Sequence, residues 1–418
     1  MLNNLKTSIS FENVFTFVLA LSSCVFLFAP KIVTISFLLI FGVQVFGLIK
    51  RKITFNVNKT TYLLVLFYLV YLVGCLFTED YNQAMKYLEY KLAFILLPIL
   101  FSFQPTKKIK LKQVFLLYII GVIGLTCFQL INSFYYYTTN GNIKFFYASY
   151  FSFIHHPTYY SSFVLVALGI WFKFFKDSFN TILFYLGCLI LLTGIFLSMS
   201  LSTLILFFLV IIIALLIQLK KKLSLKYFRL TILISPFIFY LTLNFVPVIN
   251  SQYFASKLYV ERFLSNPKQF VSKSNYKKGG NITRLIMWTA SVAEIKEHPF
   301  GVGTGNVDIY LSKRLKSYDQ VEMAEHFYNP HNQYFQTTLE VGLFGLAVLI
   351  WLLTVLFFYA YRNKDIVLLL VVASLTFNSL FESMLQRQSG IVYYSFWICI
   401  LLIYSTKPKM KASIESLE

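Results

Sequence analysis

One histidine stands where a helix is predicted to begin. His331 lies in the segment from Tyr328 to Asn332, directly before an apolar run that starts at Gln333. Asn329 is a favoured N-cap residue and Pro330 a favoured first helical residue, so the pattern predicts His331 in the first turn. Unpaired N–H groups there attract an anion and disfavour imidazolium. A neutral imidazole beside an anion is a usable general base; the alternative is a histidine that only satisfies a structural contact.

A cation is predicted on a helix further upstream. The segment from Asn281 to Pro299 has the apolar spacing of a short amphipathic helix, which Pro299 ends. Arg284 and Trp288 are one turn apart and therefore share a face. A guanidinium has a forked set of donors suited to phosphate oxygens, so Arg284 is a candidate for an anion site. The alternative is that Arg284 is one of many loop cations.

Charged residues recur after His331. Glu340 lies on the following apolar helix, and an intramembrane carboxylate is a functional candidate that either pairs with a cation or holds a neighbour in place. Glu382 follows the next apolar run, and Arg387 lies in the tight turn beyond it. We expect His331, Arg284, Glu382 and Arg387 to converge on one outer face. Glu340 belongs to a polar stripe of Gln333, Gln336, Thr337 and Glu340.

Two candidates come from the first half of the chain. Lys91 follows an outward loop and is a candidate for binding an anion, although such lysines more often snorkel to the membrane interface. His155 and His156 are adjacent, so they lack the spacing that places two metal ligands on one helical face. We therefore predict no metal site at these histidines.

Nucleotide chemistry is not predicted. The glycines of the segment 301–305 follow a helix rather than a strand, which is the wrong context for dinucleotide binding. Asp308 and Asp319 stand alone, so the cap segment has no Asp-x-Asp pair of the kind that holds a metal against a nucleotide sugar. The sequence thus predicts chemistry without a metal ion or cofactor.

The composition indicates a polytopic membrane protein. Hydrophobic residues make up 58% of the 418 residues and charged residues 13%, with a mean hydropathy of +0.69. The predicted fold is all-α, with about 12 transmembrane helices and one large, mostly helical outer loop between helices 9 and 10. The candidate spans are Val14–Ala29, Ile32–Ile49, Tyr62–Phe77, Tyr90–Phe103, Val114–Tyr136, Thr158–Phe172, Thr181–Phe196, Leu201–Leu219, Leu230–Val248, Tyr334–Tyr359, Ile366–Phe381 and Ile391–Tyr404.

The basic residues predict the orientation. A net charge of +20 could suit nucleic acid, but the lysines and arginines fall in alternate loops rather than on one face. The positive-inside rule then places both termini in the cytoplasm. Four regions are expected: residues 1–248 with transmembrane helices 1–9, residues 249–333 as an outer cap with part of the active site, residues 334–406 with helices 10–12, and a cytoplasmic tail at 407–418.

The motifs resemble the signature domain of the O-antigen ligase and O-antigen polymerase family. The resemblance is close over about Asn281 to Trp351, and it rests on four segments: Arg284 with Trp288, Pro299 to Gly303, Pro330-His-Asn332, and Glu340 to Gly345. The plan of twelve spans with one large periplasmic loop before the tenth helix is also similar. His156 to Tyr159 and Glu382 to Gln388 resemble sub-family patterns of Bacteroidetes members.

The resemblance implies a function in the bacterial inner membrane, with the active site facing the periplasm. Such proteins transfer a glycan from a polyprenyl-pyrophosphate carrier to an acceptor, for example a glycan or a lipid A-core, without nucleotide or metal. By resemblance His331 is the catalytic base and Arg284 binds the donor pyrophosphate, with Asn332, Glu340, Glu382, Trp288 and His156 in support. Many relatives carry an arginine in the turn before the eighth span, but here that turn, residues 198–202, has none; Arg387 or Lys91 is the expected replacement.

Other functions compete with this interpretation. A transporter or flippase of lipid-linked sugars is equally compatible with twelve spans, although one lopsided loop and dissimilar halves favour the enzyme. Within the enzyme class, ligase, polymerase and protein O-oligosaccharyltransferase share these motifs. The expected partners are the lipid-linked donor, the acceptor and membrane lipids, and no nucleic acid.

Overall fold

The structure, a computed structural model, describes residues 10–28, 33–222, 257–273, 280–326 and 329–404. The predicted ninth span, Leu230–Val248, and the tail at 407–418 lie outside these residues. The first half is built from helices α1 Phe11–Phe28, α2 Val33–Ile49, α3 Tyr62–Gly74, α4 Tyr81–Lys91, α5 Ala93–Ser102, α6 Leu111–Asn140, α7 Ala148–Phe151, α8 Pro157–Phe174, α9 Thr181–Leu197 and α10 Leu201–Lys222, with 3₁₀ turns at Cys75–Phe77 and Ile143–Phe146.

The second half contains the cap helices and then three apolar helices. The described part of the cap is helical; the extent of the loop as a whole stays a prediction. Its helices are α11 257–265, α12 Pro267–Lys273, α13 Asn281–Glu297, α14 Val307–Ser317 and α15 Val321–Glu325; the apolar helices are α16 Gln333–Arg362, α17 Ile366–Asn378 and α18 Gln388–Tyr404.

The apolar helices fit a polytopic membrane protein. Three of them, α1, α6 and α16, are long and apolar enough to cross a membrane individually, and six shorter apolar helices accompany them among the described residues. A hydrocarbon core of about 30 Å needs about 20 helical residues. The number of twelve crossings and the orientation stay predictions.

The predicted fourth span is interrupted. The apolar run Tyr90–Phe103 divides between the end of α4 at Lys91 and the short helix α5, which has 10 residues. At 1.5 Å per residue α5 measures only about 15 Å. The chain also contains two strands, β1 Ile53–Phe55 and β2 Phe103–Pro105, which pair antiparallel. This small ribbon is a departure from the purely helical prediction.

The last helix, α18, lies at the centre of the apolar core. Its side chains from Gly390 to Leu402 are all buried, as expected for a helix that is hydrophobic on every side. The hydroxyl of Tyr393 lies 2.8 Å from that of Tyr118 on α6. Trp397 packs edge-on against the same Tyr118 ring. Aromatic contacts therefore tie the end of the chain to its first half.

The cap docks into a break in α16. Helical geometry fails at Gly342, whose φ is +72°, and the chain from Pro299 enters the gap. Val302 N donates to Leu339 O at 2.7 Å, and Leu343 N donates to Pro299 O at 3.0 Å. Backbone groups that a kink would leave unpaired are thus satisfied by the cap. Glycine is required at this position because a side chain would collide with the entering backbone.

The glycine-rich turn continues this docking toward α4. Thr304 N donates to Gly74 O at 3.2 Å. The Asn306 side-chain oxygen accepts from Glu79 N at 3.1 Å and from Asp80 N at 3.2 Å. The pattern that does not fit dinucleotide binding is therefore a packing motif that fixes the cap to the membrane helices.

Candidate active site

His331 lies immediately before α16 rather than within it. Asn332 is the N-cap, and its side chain accepts from Tyr334 N at 2.9 Å and from Phe335 N at 3.1 Å. The prediction that Asn329 caps the helix and that His331 sits in the first turn is therefore wrong. The reason is local, since the Asn329 oxygen instead accepts from His331 N at 2.9 Å.

A carboxylate orients His331 instead. The Nδ1 atom of His331 lies 3.1 Å from Glu382 Oε2. Because an ionised carboxylate only accepts hydrogen bonds, Nδ1 carries the proton in the neutral ring and Nε2 carries the ring's lone pair. The backbone of His331 has a φ of +48°, a left-handed conformation that residues other than glycine and asparagine rarely adopt. Such strain is held by surrounding contacts and clusters at functional sites.

Glu382 lies between two imidazoles. Its side chain is 2% exposed, and Oε2 lies 3.7 Å from His156 Nε2 in addition to the contact with His331. Burial by itself raises the pKa of Glu382, but the hydrogen bond from His331 and the electrostatic interactions with His156, His331 and Arg284 outweigh it and lower the pKa to about 2. Glu382 is therefore an anion at neutral pH.

His156 reaches this site from the other half of the chain. It is the N-cap of α8, and its Nδ1 accepts from Thr158 N at 3.4 Å. Burial lowers the pKa of His156, and this outweighs the opposite effect of Glu382, while Arg387 lowers the pKa further. Burial thus favours the neutral form of His156. The sub-family pattern drew attention to His156, but only the fold brings it to Glu382.

Arg284 and Trp288 share a face of α13, as predicted. The Nε atom of Arg284 donates to Phe381 O at 3.2 Å, and the Trp288 ring lies 6.4 Å from the Phe381 ring between centroids. Arg284 is close enough to interact electrostatically with Glu382, and burial lowers its pKa while Glu382 raises it. The cap therefore supplies a guanidinium to the loop that carries the carboxylate.

Arg387 completes the cluster. It is exposed at the start of α18 and near enough to His156 to lower the pKa of that ring. The expected convergence of His331, Arg284, Glu382 and Arg387 is thus present in the structure. Arg284 and Arg387 thus bring positive charge to the residues around Glu382.

Lys91 is not among the residues around Glu382. Its side chain has no exposed surface, and Nζ lies 3.7 Å from Glu340 Oε2 and 3.2 Å from Gln386 Oε1. An enclosed ammonium with a carboxylate partner has no free face for a pyrophosphate, so we drop Lys91 from the donor site. Glu340 pairs with a cation, one of the two roles expected of it. Sequence reasoning missed Gln386, whose only signal was its place in the segment Glu382 to Gln388.

The arginine-free turn before α10 is filled by hydroxyl groups. Ser198 Oγ donates to Ile195 O at 2.7 Å. Thr203 Oγ1 accepts from Ser161 Oγ at 2.7 Å and lies 3.3 Å from Asn378 Oδ1. These partners lie within the turn and its neighbouring helices.

One group in the described part of the cap has side chains suited to a metal ion. Glu294, Glu297 and His298 lie close together. Arg314, however, donates from Nε to Glu294 Oε1 at 2.6 Å and also donates to Glu297. The guanidinium already binds both carboxylates, so the group forms a structural ion-pair network between α13 and α14.

Two comparisons with known proteins bear on this geometry. Residues 186–350 match a family model described as O-antigen ligase, a range that includes Arg284 and His331 but ends before Glu382. An uncharacterized protein of Haemophilus influenzae is 29% identical over 131 residues, which cover 28% of this chain and 33% of that protein. The chain thus spans about a third of the length of this relative.

Proposed function

We propose that this chain moves a glycan from a polyprenyl-pyrophosphate carrier to an acceptor hydroxyl at the periplasmic face, on the premise that it is a member of the O-antigen ligase family, whose model matches residues 186–350. The family supports a membrane glycan ligase or polymerase in general terms. The carrier, the acceptor and the orientation in the inner membrane belong to the proposal.

The observation that supports it is the placement of an oriented base beside fixed positive charge. His331 has a lone pair on Nε2 because Glu382 holds its Nδ1 proton at 3.1 Å. Arg284 and Arg387 supply positive charge on the same side. A pyrophosphate leaving group needs its charge neutralised rather than protonated, which guanidinium groups do well.

The proposed reaction is a single displacement at the anomeric carbon. The acceptor hydroxyl loses its proton to His331 Nε2 as its oxygen bonds to the anomeric carbon. The bond from that carbon to the pyrophosphate oxygen breaks, and the electron pair stays on the pyrophosphate beside Arg284. Glu382 stabilises the imidazolium that forms. No step uses a metal or a nucleotide.

The test uses the purified protein in vesicles with a lipid-linked glycan donor. We expect a glycosylated acceptor and free polyprenyl pyrophosphate in equal amounts, with full rates in excess chelator. Movement of the intact donor across the bilayer without transfer would instead identify a flippase. Activity that is lost with chelator and restored by magnesium would overturn the metal-free reaction.

A further inference from the structure

A buried polar network connects α4 and α16 to the loop that carries Glu382. This loop, residues 379–387, separates α17 from α18. Lys91 and Glu340 side chains are both fully buried, 3.7 Å apart. Gln386, at the far end of the loop, bridges them: its Oε1 accepts from Lys91 Nζ at 3.2 Å and its Nε2 donates to Glu340 Oε1 at 2.9 Å. One loop residue thus bonds to both members of an ion pair.

Residues of α16 hold the rest of the loop. Gln333 N donates to Ser379 O at 2.8 Å, and the Gln333 side-chain oxygen accepts from Leu385 N at 2.6 Å. Asn332 Nδ2 donates to Leu380 O at 3.1 Å. Two members of the polar stripe predicted on α16, Gln333 and Glu340, therefore bond to this loop, on both sides of Glu382.

Two buried charges are a costly way to hold a loop. Desolvating an ion pair costs several kcal/mol per ion, so apolar side chains of similar volume are often as stable. The better-supported role of a buried ion pair is to select one conformation of the protein among several. The arrangement fixed here is that of a loop whose central residue contacts the proposed base.

We propose that Lys91 and Glu340, acting through Gln386, are positioning residues that hold Glu382 against His331. This inference rests on the proposed function, because it assigns the network to the alignment of that base. Lys91 thereby acts on the rate of transfer without touching the donor.

The test combines Gln386→Leu with Glu382→Gln in a double-mutant cycle. Gln386→Leu removes both bonds to the ion pair but leaves its charges paired, so the protein should still fold. We expect kcat to fall about 10-fold to 100-fold, because small misplacements of reacting groups cost this much, with KM for the donor unchanged. In a Glu382→Gln background the same change should cost little, since the group that it positions is already lost.

The matched control is Gln44→Leu. Gln44 is buried and also makes two bonds, to Leu100 O at 2.5 Å and Phe103 O at 3.1 Å, both away from the 379–387 loop. It should lower stability to a similar extent without changing kcat. If Gln44→Leu reduces kcat as strongly as Gln386→Leu, the effect is general destabilisation and the positioning role is refuted.

A second variant tests the ion pair itself. Replacing Lys91 alone leaves Glu340 as an unpaired buried charge and is expected to prevent folding. The double change Lys91→Met with Glu340→Gln avoids this. It removes the bond from Lys91 to Gln386 but keeps an acceptor at position 340, so it should lower kcat in a folded protein by less than Gln386→Leu does.

The outcomes separate the two proposals. If Glu382→Gln alone transfers normally, the proposed base arrangement is wrong. If Glu382→Gln is impaired but Gln386→Leu is normal, or costs the same factor with and without Glu382, only the positioning role fails.

Discussion

Replacing His331 by asparagine should separate chemistry from stability. Asparagine tolerates the left-handed backbone found here, φ +48°, and its amide can still donate to Glu382. It cannot accept a proton, so transfer should fall by roughly 10² to 10⁴. That factor corresponds to about 3 to 5 kcal/mol of barrier. His331→Ala also loses a hydrogen bond to a charged group, worth about 1.5 to 3 kcal/mol of stability.

The assay measures glycan transfer, donor binding and thermal unfolding on the same purified proteins. His298→Asn is the matched control, since that imidazole also lies beside a glutamate, 3.8 Å from Glu294, but on the cap outside the cluster. We expect His331→Asn to fold and bind the donor while transferring poorly. Normal transfer by well-folded His331→Asn would remove this residue from the reaction.

Three more predictions follow from the same geometry. Arg284→Ala should slow transfer by roughly 10²-fold, as for other preorganised electrostatic donors. Arg284→Lys should restore little of this rate because an ammonium lacks the forked donors of a guanidinium. Normal turnover in Arg387→Ala would exclude Arg387 from the pyrophosphate site. Because the pKa of Glu382 is lowered from 4.5 to about 2, its ionised form stabilises the fold fully above pH 4.5, and this stability is lost as pH falls toward 2. The difference in melting temperature between the unchanged protein and Glu382→Gln should therefore narrow over that pH window. A constant difference would contradict the assigned ion pairs. A cysteine at Ser317 should be labelled from outside the cell and one at Lys108 should not, and the reverse pattern would invert the predicted topology.

Much of the secondary structure was predictable because hydrophobic runs and terminators act locally. The apolar spacing that ends at Pro299 does form a helix, α13 Asn281–Glu297. Boundaries were less secure where two residues compete for one role. Asn329 and Asn332 are both good caps, and the backbone donors of Tyr334 and Phe335 select the second. The division of the run Tyr90–Phe103 between α4 and the short helix α5 was not predictable from composition, since a continuous apolar run does not show where the backbone turns.

By itself the sequence determined which candidate site residues are present, namely a histidine, two arginines and a glutamate near predicted helix ends. It also determined that the composition is that of a membrane protein. Only the tertiary structure decided how the site residues pair. Glu382 contacts His331 and also His156, which lies 226 positions earlier in the sequence. Lys91 is buried beside Glu340 and does not join the anion site. The physical reason is that hydropathy and capping depend on near neighbours, whereas a buried charge is stable only beside a partner, and which partner is available depends on how distant helices pack.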